Sequence, residues 1–344
     1  MSKIKKYEQI NTTKYINPVG NISVIGFGAM GISEFYGDTN ADEAINAMKE
    51  ALDNGINHFD TADGYAYGAN EVFLGKHLNL KNTSIRKNLI IASKAGILRD
   101  KNDPNVRGIC IEPKYLREQL NHSLKNLQTN YLDIFYVHRL PPNANEQELE
   151  VLGRFLKDIR EEGLVKSVGL SEPNLEQLKI LHQITSIDFV QSEYSLLERI
   201  VENNGILDMC KSNFINFVAY SPLCRGMLTD TFSTSLLQGN DFRQTLPKFT
   251  GNNYTENMKL IEKLKVIADS LNISLSILSL SWLISQNVLV IPGMRKTSRV
   301  KDSLTAYEIN LNKEVLEKID SIAHHGATHG TRYSQSAMDA YGFE

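Results

Sequence analysis

Residues 57–65, NHFDTADGY, run a short apolar segment into a carboxylate at Asp60 and present a phenol five residues later at Tyr65. A tyrosine, with a reference pKa of about 10, is a poor acid near neutrality unless a positive charge stabilises its phenolate. Lys94, at the end of LIIASK (89–94), is a cation able to do so. A unit charge about 4 Å away in an effective dielectric of about 20 contributes about 4 kcal/mol, or up to roughly three pKa units before compensation. Asp60 would hold that ammonium charged and in place, and would offset part of the effect. His138, closing LDIFYVH (132–138), can donate a hydrogen bond to the oxygen that the phenol protonates. Together these groups spell general acid catalysis on a polarised carbonyl. Singly, a strand-end Asp, Lys or His more often caps a turn or forms an ion pair, and Tyr67 is a rival phenol. The joint placement at the ends of three successive strands carries the inference.

The elements that must position them follow a repeating pattern. Apolar strands are predicted at residues 22–30, 57–61, 89–94, 132–138, 166–171, 189–194, 217–221 and 288–291, each separated from the next by at least one helical stretch. The helix from Pro113 to about residue 128 carries a stripe of Leu116, Leu120, Leu124 and Leu127, with proline where the first turn tolerates it. The next helix, striped by Leu149, Leu152, Leu156 and Ile159, ends at Gly163, and the one after is capped by Asn174 with Gln177 three positions on. Parallel strands need such crossovers, and eight units favour closure into a (β/α)8 TIM barrel over an open doubly wound sheet. No Pro/Gly/Ser-rich linker interrupts the chain, so one domain over 1–344 is expected, with a core of about 20–325, a long polar loop after the seventh strand and an irregular C-terminal tail. Asp60, Lys94, His138, Ser171, Gln191 and Ser221 then fall at or near the C-terminal ends of their strands, where barrels build active sites.

Composition narrows the partners. With 37 Lys+Arg against 40 Asp+Glu the net charge is −3, which makes no case for nucleic acid or an anionic membrane. Cys110, Cys210 and Cys224 are widely spaced and odd in number, which argues for free thiols rather than a disulfide framework or a zinc site. No metal site is expected: the only histidines at i,i+4 spacing, His325 and His329, have Gly326 between them. The polar leader lacks an apolar core of the secretory kind, so a soluble, cytoplasmic protein is expected, while self-association cannot be read. Gly26–Gly31 (GFGAMG) matches the dinucleotide fingerprint GxGxxG. The helix that should open inside it begins only near Asp42, so these glycines are read instead as a tight first turn that lets backbone approach a ligand.

Eight segments, in order, resemble the successive signatures of the aldo-keto reductase family: VIGFGAMGIS (24–33), HFDTADGYAYGANEVFLGKHL (58–78), IIASK (90–94), YVHR (136–139), VKSVGLSEPN (165–174), QSEYSLLER (191–199), VAYSPLCRGMLTD (218–230) and IPGMRKTSRVKDSL (291–304). The resemblance covers most of the chain. It implies a barrel that reduces carbonyl compounds with NADPH, returning NADP+, through the tetrad Asp60, Tyr65, Lys94 and His138, and its spacing selects Tyr65 over Tyr67. It also implies a small-molecule aldehyde or ketone as substrate. The family includes potassium-channel β-subunits that act mainly as interaction modules, but nothing in this sequence points to channel docking.

The resemblance further implies a cofactor site. Gly28, Met30 and Asp60 would contribute from the first two strands, and Ser171, Glu172 and Gln191 would bind the carboxamide. Tyr220 would stack on the nicotinamide, Ser221, Pro222, Leu223, Arg225 and Gly226 would hold the pyrophosphate, Gly293 would also belong to the cofactor site, and Arg295 and Arg299 would hold the adenosine 2′-phosphate. The guanidinium suits that last task because its planar fork contacts phosphate in a bidentate manner. Asp302 and Ser303 stand where the family has a Glu-Asn pair on adenine, Met294 stands where many members have Thr or Ser, and Cys224 replaces a frequent glycine. His138-Arg139-Leu140-Pro141 lacks the family's aspartate after the arginine. Substrate choice is assigned to the loops after strands one, four and seven and to the tail.

Overall fold

The computed structural model describes residues 13–33, 40–103, 106–233, 235, 237 and 241–342. The first twelve residues of the polar leader, residues 34–39 of the loop after the first barrel strand and part of the long loop (234, 236, 238–240) therefore lie outside the described residues. The chain opens with a hairpin of β1 (Thr13–Ile16) and β2 (Gly20–Ser23), paired antiparallel. The barrel begins with β3 (Phe27–Gly28), β4 (His58–Asp60) and β5 (Ile90–Ala95). From β5 the chain runs into a second antiparallel hairpin, β6 (Ile97–Arg99) and β7 (Arg107–Ile109). The barrel resumes with β8 (Leu132–Val137), β9 (Val165–Ser171), β10 (Phe189–Glu193), β11 (Asn216–Tyr220) and β12 (Leu289–Ile291).

All ladders within the eight-stranded sheet are parallel, in the order β12-β11-β10-β9-β8-β5-β4-β3. Parallel bridges Ile25↔Val290 and Gly28↔Gly293 bring the first strand to the last, so the sheet is a nearly closed (β/α)8 barrel. Closure explains Gly28: a Cβ there would lie 2.7 Å from the carbonyl oxygen of Ile291 and 2.9 Å from that of Pro292. The glycine run therefore first serves the seam of the barrel, and contact with a ligand is secondary to that.

Side-chain alternation with a period of two sorts the strands into two cores. Outward residues such as Phe59, Ile91, Phe135, Val137, Val168 and Leu170 pack against the helical layer. Inward residues Ile90, Ala92, Ile134, Tyr136, Phe189, Val218 and Leu289 fill the interior, with Ile16, Val19 and Ile22 of the opening hairpin closing its floor. A barrel interior is a packed core rather than a pore, so a polar inward residue is tolerated only near the mouth. Asp60, Lys94, Ser171, Gln191 and Tyr220 share the inward parity; Asp60, Ser171 and Tyr220 end their strands, Lys94 is next to last in β5 and Gln191 lies midway along β10.

The helices form as their sequence signals predict. Asn174 makes the expected capping box and Pro113 opens its helix, and Asn145, not singled out from sequence, makes a second capping box. Three differences stand out. The apolar run at 22–30 is not one strand: Ile22 and Ser23 end the β1–β2 hairpin, Ile25 makes a single bridge to Val290, and Phe27–Gly28 forms the barrel strand. The β6–β7 hairpin was not predicted, since its six residues have no apolar alternation. The tail is not wholly irregular: Gln335–Tyr341 forms a helix, held where the preceding residues bind the barrel mouth.

Candidate active site

Inward parity delivers Asp60 and Lys94 to adjacent strands, where they form an ion pair with both side chains almost fully buried. The Lys94 ammonium also donates to the Thr61 carbonyl at 2.7 Å, while Gln191 Nε2 donates to the second Asp60 oxygen at 2.8 Å. Burial pushes the Lys94 pKa down and the neighbouring Asp60 pushes it back up. The ammonium lies 5.3 Å from the centre of the Tyr65 ring. His138 meets Tyr65 edge-on, with ring centroids 5.9 Å apart and planes at 80°. Burial, reinforced by the positive charges of Arg139, Lys94 and Arg99, holds the imidazole well below its usual pKa, so it is neutral at physiological pH. Tyr65 lines the cleft, whereas Tyr67 is 43% exposed and sits under the Arg99 guanidinium, 4.7 Å from its ring centre.

The turn that carries Tyr65 holds a buried acid of its own. The Asp63 carboxyl is pushed up to about 8, first by burial and then by the nearby Glu71, and its Oδ1 has no hydrogen-bond partner among the described residues. Because the folded-state pKa lies above the unfolded value, folding favours the protonated form; stability is greatest below about pH 4 and is lost as pH rises through about 8. Asp63→Asn removes this titration. It is expected to raise unfolding free energy by about 1 kcal/mol at pH 8, discounted for the partial exposure of the group, with the gain vanishing near pH 4. Urea melts of both proteins across that range check it.

Tyr65 and His138 open onto a cleft of about 500 Å³ that crosses the barrel mouth. Of the residues expected at a cofactor, Gly28, Met30, Asp60, Ser171, Gln191, Tyr220, Ser221, Pro222, Leu223, Arg225, Gly226, Gly293, Arg295 and Arg299 all line it. Ser221 and Glu172, one residue beyond β11 and β9, take left-handed backbone (φ 49° and 53°), as do Cys224 and Arg225 (φ 44° and 53°). Such conformations are uncommon for non-glycine residues and concentrate here at the mouth. Among the described lining residues eight are Arg or Lys, while Asp60 alone is acidic.

Three expected residues stand elsewhere. Glu172 does not line the cleft: its carboxylate receives a two-pronged contact from Arg332 at 2.9 and 3.1 Å and a hydrogen bond from the Glu193 amide at 2.8 Å. A buried carboxylate needs a cation, and Glu172 finds one in the tail rather than a carboxamide. Asp302 and Ser303 also lie off the cleft, and the Ser303 hydroxyl donates to the Arg299 carbonyl within its own helix. Cys224 is buried, with its thiol pushed up to about 12 by burial, so it is a poor nucleophile.

Sequence reasoning missed several groups. Arg139 donates to the His138 carbonyl and to Ser171 Oγ, both at 2.8 Å, and thereby ties the ends of two strands together. Tyr333 receives a hydrogen bond from Arg225 at 2.8 Å and lies 3.4 Å, hydroxyl to hydroxyl, from Tyr220. Arg243, on the long loop, joins Asp241 and the Arg225 carbonyl. No local periodicity marks these residues, although the Asp241-Phe242-Arg243 cluster in an unusually long loop was a signal of function. No single helix among the described residues is long and apolar enough to cross a membrane.

Comparison with known proteins agrees with this geometry. A sequence model of the Aldo/keto reductase family matches residues 24–324. The chain is 31% identical over 328 residues to an aldo-keto reductase of Schizosaccharomyces pombe named for NADP(+), covering 93% of this chain and 94% of that one. It is 32% identical over 329 residues to a probable aldo-keto reductase of Glycine max, covering 94% and 92%. Among solved structures, a glycerol dehydrogenase from Gluconobacter oxydans superposes with a TM-score of 0.81 at 23% identity, covering 93% of this chain and 98% of that one, which speaks for the fold alone. With a family match across most of the sequence and relatives above 30% identity over nearly their whole length, the chain belongs to the aldo/keto reductase family.

Proposed function

We propose that this protein reduces aldehydes or ketones to alcohols with NADPH, using Tyr65 as the general acid. The observation that carries the reading is the stack itself: a phenol and a neutral imidazole, edge to face at the cleft, above a buried Lys94–Asp60 pair. A neutral imidazole can donate one N–H to a carbonyl oxygen without competing as an acid. The phenol gives its proton to the same oxygen as negative charge develops there, and the ammonium lowers the cost of the phenolate left behind.

The residues present fit the cofactor. Arg243, Arg295, Lys296 and Arg299 line the cleft and supply the cations that phosphates need, Tyr220 offers an aromatic face, and Ser171 and Gln191 offer polar groups to an amide. When bound, the nicotinamide supplies the hydride for the carbonyl carbon. The name of the fission-yeast relative supports NADP as the cofactor. Arg139 and Gln191, bonded to Ser171 and Asp60, keep the mouth in one arrangement, which is what orientation-based catalysis requires.

Titration with NADPH followed by turnover against a panel of aldehydes and ketones tests the reading. Tight NADPH binding without oxidation of the cofactor by any of them would overturn the reductase assignment. For the cofactor site, Arg295→Gln combined with Arg299→Gln is expected to raise the Kd for NADPH by about tenfold or more, since each charged phosphate contact contributes roughly 1.5–3 kcal/mol. The Kd for NADH should move less than about threefold. Equal weakening of both cofactors would remove the 2′-phosphate role from these arginines.

A further inference from the structure

The C-terminal tail is fastened to the barrel mouth at two points. Asn257, on the helix Gly251–Ser270, clamps His329 reciprocally, accepting from its amide at 2.8 Å and donating to its carbonyl at 2.9 Å. Gly330 follows in left-handed backbone (φ 83°). A Cβ there would lie 2.9 Å from the carbonyl carbon of Pro247 and 3.0 Å from the amide nitrogen of Lys248, so the tail runs hard against the long loop. Two residues on, Arg332 grips both carboxylate oxygens of Glu172, and the side chains of the pair are 5% and 7% exposed. Burial alone would raise the Glu172 carboxyl, but the charges of Arg332 and Arg139 overcome it and hold the group below the usual carboxylate range.

From this pair the contacts continue into the cleft. The Glu172 carboxylate also accepts from the amide of Glu193, the last residue of β10, and the Glu193 carboxylate accepts from Arg225 at 3.1 Å. Arg225 in turn donates to the Tyr333 hydroxyl at 2.8 Å and lies 5.1 Å from the centre of that ring. The same hydroxyl is 3.4 Å from that of Tyr220, the last residue of β11. Arg332, Glu172, Glu193, Arg225 and Tyr333 therefore form a closed ring, in which two adjacent tail residues reach the ends of three neighbouring strands.

An anchor that served folding alone could stop at Glu172. This one ends on Tyr220 and Arg225, which line the cleft together with Tyr333. A long side chain such as arginine loses rotamer freedom when it is fixed, and a group fixed before its ligand arrives spares that cost at binding. We infer that Arg332 and Tyr333 are positioning residues for the cofactor: the Glu172–Arg332 pair seats the tail, so that Tyr333 holds Arg225 and Tyr220 ready for the pyrophosphate and the nicotinamide. This rests on the reading of the cleft as a dinucleotide site. Both of those groups are shared by NADPH and NADH, so the tail acts on the two cofactors alike, unlike Arg295 and Arg299.

The test uses the full chain without substrate, with fluorescence titrations giving Kd for NADPH and for NADH. Arg332→Gln is expected to raise both by about tenfold, and Arg332→Lys, which keeps the charge but not the fork, by less. Tyr333→Phe keeps the ring and the Glu172–Arg332 pair and should raise both by about threefold or more. Glu172→Gln should match Arg332→Gln, and the double variant should be no weaker than either, because each breaks the same pair. In the protein without cofactor, Arg332→Gln should speed amide hydrogen exchange across Gln335–Tyr341. A Tyr333→Phe protein with both Kd values within about twofold of the unmodified protein overturns the inference, and this variant decides the matter if Arg332→Gln does not fold. Unchanged exchange in Arg332→Gln overturns the seating of the tail. Additive losses in the double variant overturn it as well, since Glu172 would then act on the cofactor directly, as does weaker binding of NADPH with NADH unaffected. An unmodified protein that binds neither cofactor is a different result: it removes the dinucleotide site, and the proposal falls with it.

Discussion

Tyr65→Phe is expected to lower kcat for carbonyl reduction by about 10²–10⁴-fold while the Kd for NADPH shifts by less than about threefold. The phenylalanine ring keeps the edge contact with His138, whose centroid lies 5.9 Å away, and the approach of the Lys94 ammonium, 5.3 Å from the ring. Only the hydroxyl is lost. A proton donor matters chiefly as the carbonyl oxygen becomes an alkoxide, so its removal acts on the transition state and spares binding. Pre-steady-state oxidation of bound NADPH, alongside a fluorescence titration, separates the two quantities. The competing assignment makes the opposite prediction: if Tyr67→Phe is inactive and Tyr65→Phe is not, the acid is Tyr67. Its ring is 43% exposed and faces Arg99, so Tyr67→Phe should be close to normal.

The second large effect is on stability. Asp60→Asn should reduce the unfolding free energy by about 3 kcal/mol, the lower end of the range for breaking a buried pair, because the new amide can still accept a hydrogen bond. Asp60 is 3% exposed and uses both oxygens, one on Lys94 and one on Gln191. Without it the Lys94 ammonium keeps the Thr61 carbonyl but no counter-charge at that site. Burial already depresses the lysine pKa, and loss of Asp60 depresses it further. A folded pKa below the unfolded value means that folding sheds a proton, so stability rises with pH between the two values. The deficit of Asp60→Asn should therefore narrow as pH is raised toward about 10. Urea unfolding at pH 7 and near pH 10 measures both. An unchanged midpoint at pH 7 would mean that Lys94 does not depend on Asp60 for its charge.

The second effect descends from a local rule, the parity of a strand, which turns Asp60 and Lys94 inward on adjacent strands. Asp60, Lys94, His138, Ser171, Gln191 and Ser221 were legible as candidate site residues because each was expected at or near the C-terminal end of its strand, whereas Tyr220 entered through the family resemblance; the structure brings all of them except Lys94 to the wall of the cleft, with Lys94 paired to Asp60 beneath it. The eight strands, the cap at Asn174 and the rejection of a Rossmann turn at Gly26–Gly31 were legible because each depends on residues within a few positions of one another. The spacing of Tyr65 from Asp60 needed family resemblance, since both Tyr65 and Tyr67 satisfy the local chemistry.

Tertiary structure decided what depends on distant partners. Residues 22–30 formed one apolar run in sequence, yet the floor of the barrel claims Ile22 for a hairpin and the seam claims Gly28 for closure. Glu172 reads as a polar strand-end residue suited to a carboxamide, but 160 positions later Arg332 takes its carboxylate, a pairing that no periodicity encodes. Tyr333 reaches Tyr220 and Arg225 in the same way, and the cross-strand register that opposes Arg99 to Arg107 exists only once β6 and β7 have paired. Short-range patterning fixes which face of an element a residue occupies; which charge or ring it meets there is set by the chain closing on itself, because such contacts are selected by burial and charge compensation rather than by spacing.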